Sequence, residues 1–245
     1  MAPDKVDFPP NPMASKMSTA ETDEWEFKRL DMLALQANSD KSSKVHNYTR
    51  IYPQYFEKFT RKPIKMLEIG IFKGASVKMW ENYFLNAELH FVDVNRTQIL
   101  YNSTRSHYHF LDQGDSNKLK KLADEIGPFD IVVDDGGHIQ EPMISSFKVL
   151  FPYVKPGGVY VFEDIHASYW KPFGGRGDRE KPEAGPGTAI DFLKALIDDV
   201  NFVGASTGIG GAANITASLL KKMNYNNKHI DSIHFYNSIC FVFAK

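Results

Sequence analysis

The chain has 245 residues, 42% of them hydrophobic, and a net charge of −1. That is enough apolar material for one large core, and the even mix of acids and bases argues against nucleic acid as the main partner. No apolar run reaches the ~18 residues of a membrane helix, so no membrane partner is expected. The single cysteine, Cys240, cannot form an internal disulfide, which points to a reducing, cytoplasmic setting.

Residues 1–20 contain Pro3, Pro9, Pro10 and Pro12 without an apolar stretch, which reads as a disordered leader and not as a signal peptide. The sequons at Asn47, Asn95, Asn102 and Asn214 are then read as chance. Residues 21–60 form an N-terminal helical segment. Within it, residues 23–38 align Phe27, Leu30, Ala34 and Ala37 on one face, which suits packing on the domain or a homo-oligomer. A polar, charged loop follows at 39–44. Residues 46–59 then make an aromatic-rich helical stretch with Tyr48, Tyr52, Tyr55, Phe56 and Phe59.

From residue 61 to 245 short apolar runs alternate with amphipathic segments, the pattern of βαβ units. Strands are predicted at 64–69, 88–94, 108–111, 129–134 and 159–163, with helices at 75–84, 116–126 and 141–151 between them. Pro142 sits in the first turn of the third helix, where a missing N–H costs nothing. Pro156-Gly157-Gly158 reads as a turn into the fifth strand. Residues 171–187, rich in Gly, Pro and charge, suggest a mobile loop or lid. Thr188 caps a further helix whose apolar stripe is Ala189, Phe192, Leu193, Leu196, Ile197 and Val200. The segments 230–236 and 239–244, split at Asn237-Ser238, form an antiparallel hairpin. The expected fold is α/β: a doubly wound, mostly parallel seven-stranded sheet closed by that hairpin.

In such a sheet ligands bind beyond the carboxyl ends of the strands. The first strand leads into Glu68-x-Gly70-x-x-x-Gly74, a glycine turn that opens a helix at Ser76 with free N–H groups. It is not the Gly-x-Gly-x-x-Gly dinucleotide fingerprint. A carboxylate beside the first glycine repels pyrophosphate and suits the amine-bearing tail of S-adenosylmethionine. Asp93 closes the second strand, where ribose hydroxyls would be gripped, and Asp112 and Gln113 follow the third, where an adenine amino group would be read. Asp134 at the end of the fourth completes the cofactor candidates. Strand four ends Asp134-Asp135-Gly136-Gly137-His138 and strand five ends Glu163-Asp164. Neighbouring carboxylates repel unless a cation lies among them. Oxygen-rich, thiol-free donors select Mg²⁺, Ca²⁺ or Mn²⁺ over zinc, and an imidazole beside them suits a general base.

These residues resemble the class I methyltransferases of the macrolide-sugar type, the mycinamicin and macrocin O-methyltransferases. The resemblance rests on Leu67-Glu-Ile-Gly-Ile…Gly74-Ala-Ser-Val-Lys-Met-Trp80, on Phe129-Asp-Ile-Val-Val-Asp-Asp-Gly-Gly-His138 and on Pro156-Gly-Gly-Val-Tyr-Val-Phe-Glu-Asp164. It continues through Ser168-Tyr-Trp170 and Ser232-Ile-His-Phe-Tyr-Asn237, covering residues 39–245. It implies Asp135, Glu163 and Asp164 as ligands of Mg²⁺ or Mn²⁺, His138 as base, and Glu68, Gly70, Gly74 and Asp93 around S-adenosylmethionine. Gly137 stands where the family usually has serine, and the extra N-terminal domain of the mycinamicin type is missing from the chain.

The expectation is therefore an S-adenosylmethionine-dependent, Mg²⁺-assisted O-methyltransferase acting on a small-molecule hydroxyl or vicinal diol of secondary metabolism, either a sugar or a catechol-like ring. Tyr169, Trp170 and Phe173 offer it an aromatic wall, with His166, Arg176 and Arg179 nearby. A non-catalytic S-adenosylmethionine-binding regulator and an N-methyltransferase are the alternatives. A nicotinamide dehydrogenase is disfavoured by the glycine pattern and the hairpin.

Overall fold

The computed structural model describes residues 18–209 and 215–245. The expected leader lies outside these residues as far as position 17, and so does Asn214. Seven strands form one sheet: β1 (Lys65–Ile69), β2 (Glu88–Asp93), β3 (His107–Phe110), β4 (Phe129–Asp134), β5 (Val154–Phe162), β6 (Ile230–Phe235) and β7 (Cys240–Ala244). Their order is β3-β2-β1-β4-β5-β7-β6. The pairs β2–β3, β1–β4 and β4–β5 are parallel, whereas β5–β7 and β6–β7 are antiparallel. This is the predicted doubly wound sheet with its terminal hairpin.

One strand differs from its prediction by more than a single residue at either end. β5 begins at Val154, so Pro156-Gly157-Gly158 lies inside the strand and not before it. The β4–β5 register shifts between Phe129 and Ile131, and Gly157 takes φ +76°. A Cβ on Gly158 would come within 2.7 Å of the Asp130 carbonyl oxygen. The three residues therefore make a bulge, which needs both conformational freedom and close approach.

The chain divides into two compact units, one of Met1–Lys65 and Ile71–Phe110, the other of Met66–Gly70 and Leu111–Lys245. In the first, helix α1 (Thr19–Ala37) starts with a capping box in which Ser18 and Glu21 satisfy each other's backbone N–H. It stops at Asn38 in the left-handed region. Its buried stripe is Leu30, Leu33 and Ala34 with Glu26, whereas Phe27 and Ala37 are only partly covered. Phe27 lies instead beneath the Arg50 guanidinium, 4.5 Å from its ring.

The polar, charged loop at 39–44 is half-buried, with Ser39, Lys41 and Ser42 inside. Asp31 draws it in: its carboxylate accepts from Ser43 N and Ser43 Oγ at 2.6 Å each and from Thr49 Oγ1 at 2.8 Å. The aromatic segment becomes two 3₁₀ turns flanking helix α2 (Pro53–Phe56). Its side chains form the core of this unit with helix α3 (Ala75–Tyr83) and the residue after it. Tyr52 meets Trp80 at 5.2 Å between ring centres, and Phe56 meets Phe84 at 5.8 Å. All four are fully buried, each worth roughly 2–3 kcal/mol of transfer free energy.

The second unit holds helices α4 (Ser116–Ile126), α5 (Gln140–Leu150), α6 (Ala189–Thr207), α7 (Ala217–Lys222) and α8 (Tyr225–His229). The last two are too short to show periodicity and were not expected from sequence. Phe147 of α5 packs on Tyr160 and Phe162 of β5, at 5.1 and 5.4 Å. Thr188 caps α6 as predicted, accepting from Asp191 N at 3.3 Å. The α6 stripe is rotated: Ala189, Ile190, Leu193 and Leu196 are buried while Ile197 is exposed. The 171–187 segment is not a loose loop. Its backbone is tied to itself by Arg176 N to Glu183 O at 2.8 Å and Asp178 N to Lys181 O at 3.1 Å, and to Tyr169 O through Gly177 N at 3.0 Å. Among the described residues no helix is long and apolar enough to cross a membrane.

Replacing Asp31 by Ala should lower stability by about 2–3 kcal/mol, because it strips acceptors from three donors in a mostly buried place. Urea denaturation of the variant measures this. A midpoint equal to wild type would mean that the loop is held by other contacts.

Candidate active site

The parallel register brings the carboxyl ends of β1, β4 and β5 side by side. Ile69 pairs with Asp134, and Asp134 with Phe162. Two further backbone bonds extend the ladders past the strands: Asp135 N donates to Ile69 O at 2.9 Å and Glu163 N to Asp134 O at 3.0 Å. This staging brings two overlapping sets of ligating atoms together. Asp135, His138 and Asp164 form one set and Glu68, Asp135 and Glu163 the other, with all atoms of a set within 4.8 Å of one another. Asp135 is common to both. Glu68, expected beside the cofactor amine, is fully buried next to the acids expected to hold a metal.

Gly70 is required here for a reason other than ligand clearance. Its φ is +100°, and a Cβ would stand 2.0 Å from the Asp135 carbonyl oxygen. The β1 turn and the start of the Asp135 loop touch through it. His138 and Asp164 are non-glycine residues in the left-handed region, at φ +56° and +50°. Such conformations cost about 1–3 kcal/mol each and concentrate at functional sites. His138 Nε2 lies 3.4 Å from Asp164 Oδ2, while His138 Nδ1 is buried without a hydrogen-bond partner. The other carboxylate oxygen of Asp164 lies 3.9 Å from His166 Nδ1, which is hydrogen-bonded to Ser238 Oγ in the hairpin turn.

Asp134, the last of the cofactor candidates, is held by its own neighbours. It is fully buried, and its oxygens accept from Tyr160 Oη at 2.9 Å and Gln113 Nε2 at 2.6 Å. Burial pushes its carboxyl up to about 7 against those two hydrogen bonds. Gln113 is thereby engaged as well. Its amide oxygen also closes on Gly136, where a Cβ would come within 2.2 Å. Asp112 caps its own loop, accepting from Gly114 N at 2.8 Å.

In the other unit, Asp93 accepts from Ile71 N at 2.8 Å, Phe72 N at 3.0 Å and Asn95 N at 2.7 Å. The acid expected on ribose thus clamps the glycine turn. Gly74, at φ +86°, ends that turn against the Tyr101 backbone, and Ser76 lies buried in the first turn of α3.

Sequence reasoning missed Gln140. It is 4% exposed, and its Nε2 donates to the His138 carbonyl at 2.8 Å. Its Oε1 accepts from Ser168 Oγ at 2.6 Å and from Ala189 N, at the start of α6, at 2.8 Å. One amide thus joins the His138 loop, the segment after β5 and helix α6. The only signal was a glutamine two residues past His138 at a helix start. An aromatic file borders His138: Phe173 at 6.2 Å, then Trp170 a further 6.3 Å on, with Arg179 over Trp170 at 5.2 Å. Truncating Gln140 to Ala should cost about 2–4 kcal/mol, since it leaves a carbonyl, a hydroxyl and an N–H buried without partners. Thermal denaturation reads this directly, and an unshifted Tm would show that the hub carries no strain.

The Methyltransferase domain family matches residues 67–165. The 8-demethyl-8-alpha-L-rhamnosyl tetracenomycin-C 2'-O-methyltransferase of Streptomyces olivaceus is 34% identical over 97% of this chain and 61% of its own length. The L-olivosyl-oleandolide 3-O-methyltransferase of Streptomyces antibioticus is 36% identical over 78% of this chain and 50% of its own. MycE, a methyltransferase of the mycinamycin biosynthetic pathway solved in complex with Mg, SAH and mycinamycin VI, is 31% identical with a TM-score of 0.74, covering 88% of this chain and 53% of that one. The chain therefore spans about half to three-fifths of the length of these relatives. Together with the sheet order and the glycine turn, these matches show that the chain has the class I methyltransferase fold, carries a methyltransferase domain over residues 67–165, and is similar to macrolide- and tetracenomycin-sugar O-methyltransferases.

Proposed function

We propose that the protein transfers a methyl group from S-adenosylmethionine to a hydroxyl of a small molecule, assisted by a divalent cation. The observation that carries this reading is the convergence of Glu68, Asp135, His138, Glu163 and Asp164 in two sets spanning at most 4.8 Å. The donors fit Mg²⁺ or Mn²⁺: they are carboxylate oxygens with one imidazole and no thiol. Asp135, Glu163 and Asp164 would hold the cation, with Glu68 close enough to share it. When bound, the cation would lower the pKa of an adjacent hydroxyl and S-adenosylmethionine would supply the methyl group.

The protein's own contribution is positioning and proton transfer. His138 Nε2 faces the carboxylates and would take the hydroxyl proton, and Asp164 at 3.4 Å would stabilise the resulting imidazolium. The hydrogen bond from Gln140 to the His138 carbonyl fixes the loop in its strained form. Glu68, Gly70, Gly74, Ser76 and Asp93 would serve the cofactor, Asp93 by holding the glycine turn. Asp112, Gln113 and Asp134 would serve it only through the loops they brace. Phe173 and Trp170 offer an aromatic wall beside His138, suited to a ring-bearing acceptor such as a sugar diol. The relatives' names, a rhamnosyl tetracenomycin-C 2'-O-methyltransferase and an L-olivosyl-oleandolide 3-O-methyltransferase, support the same class.

The first test is calorimetric titration of S-adenosylhomocysteine, followed by a screen of sugar diols with Mg²⁺ and with EDTA. Binding plus Mg²⁺-dependent methylation is expected, and absence of binding would remove the reading. His138→Ala should lower turnover by about 10²–10⁴ while leaving S-adenosylhomocysteine affinity unchanged. Asp135→Asn should abolish the Mg²⁺ dependence. Full activity in both variants would reduce these residues to structural roles.

A further inference from the structure

A second group of ligating side chains lies in the other unit, on β2 and β3. Glu88 and His90 alternate on β2, His107 and His109 on β3, and the register sets His90 opposite His107. Residues two apart on a strand share a face, so the four side chains form one patch. His90 Nδ1 lies 3.0 Å from His109 Nε2, and His90 Nε2 lies 2.8 Å from Glu88 Oε1. The rings of His107 and His109 stack on His90 at 4.8 and 5.2 Å between centres. His90 is 3% exposed, whereas His107 is open to solvent.

Glu88 settles the His90 tautomer. Its carboxylate can only accept from Nε2–H, which leaves the lone pair of Nδ1 directed at His109 Nε2. A carboxylate behind one ring nitrogen, with the lone pair of the other turned toward a second imidazole, is the arrangement that orients metal-binding histidines. The 3.0 Å gap between the two nitrogens also fits adjacent ligands. Two nitrogens each about 2.0–2.1 Å from zinc stand roughly 2.9–3.4 Å apart, from right-angled to tetrahedral geometry. A shared proton would occupy the same gap, and that is the competing explanation. Three nitrogens do not yet converge, so the exposed His107 ring must turn to add the third.

We propose that Glu88, His90, His107 and His109 form a binding site for a borderline transition cation of the Zn²⁺ class. His90 Nδ1 and His109 Nε2 ligate, His107 completes the set and Glu88 orients His90. Nitrogen donors favour zinc, nickel and copper over Mg²⁺, so this site is chemically separate from the carboxylate centre. A bound ion would staple β3 to β2.

The test uses untagged, full-length protein saturated with Mg²⁺ and titrated with Zn²⁺ by calorimetry. One zinc should bind per chain, and X-ray absorption should find a nitrogen-rich coordination shell. His109→Ala should abolish that event, and Glu88→Gln should weaken it about tenfold or more. Asp135→Asn, altered at the other centre, should retain it. Should His109→Ala fail to fold, His107→Gln on the exposed side should still weaken zinc binding. Equal zinc affinity in wild type and in these histidine variants, or an oxygen-only shell, overturns the proposal.

Discussion

Repulsion among carboxylates governs the chemistry-bearing end of the sheet. Glu68, Asp135, Glu163 and Asp164 collect there, and Glu68 and Glu163 are no more than 1% exposed. At an effective dielectric near 20, two like charges ~4.8 Å apart repel by roughly 3 kcal/mol. A surface ion pair returns about 0–1 kcal/mol, less than one such repulsion within the cluster. It persists because the ladders fix the backbone under each acid, through Asp135 N to Ile69 O and Glu163 N to Asp134 O. Asp134 lessens the burden by another route: with its carboxyl pushed up to about 7, it carries only part of a charge near neutral pH.

Holding acids at adjacent strand ends imposes the backbone that follows. The chain must turn sharply after β4 and β5, and it does so at His138 and Asp164 in the left-handed region. Neither residue is glycine, so the conformation is costly and has to be sustained by neighbours. Gln140 does this for His138, binding its carbonyl while anchoring to Ser168 and to the start of α6. The hairpin turn approaches Asp164 from the other side, with Ile165 N donating to Ser238 O at 3.0 Å and Ser238 Oγ bonded to His166. The last strands of the chain thus brace residues coded some seventy positions earlier.

How far the sequence could be read follows from which interactions are local. Strand and helix positions depend on periodicity and caps, which is why β4, α4, the Thr188 cap and the terminal hairpin emerge from sequence nearly residue for residue. The acids at the strand ends were equally legible, since a carboxylate closing an apolar run has few other uses. Side-chain partners were not. Asp93 and Gln113 read as ligand-binding residues in sequence, which gives no sign that they also meet Ile71 N and Asp134. Glu68 interrupts an apolar strand, which signals a buried acid without saying what it faces. The loop at 39–44 reads only as polar and charged, and Asp31, several residues earlier, draws it in through hydrogen bonds no periodicity records.

The two ligand sets differ in hardness, and that difference has a physical consequence. Carboxylates at the ends of β1, β4 and β5 suit a hard cation that keeps its water and exchanges readily; imidazoles on β2 and β3 suit a softer one held by fewer, stronger bonds. A single mixed site would load whichever metal is tighter, since zinc outcompetes Mg²⁺ for nitrogen and competes for oxygen. His138 stands among the acids as their one nitrogen donor. The left-handed bend at His138, with its carbonyl held by Gln140, limits how that ring can turn. That restriction keeps the imidazole beside the carboxylates, where the proposed reaction needs a proton acceptor, while the proposed site on β2 and β3 would offer a softer ion a better place to bind.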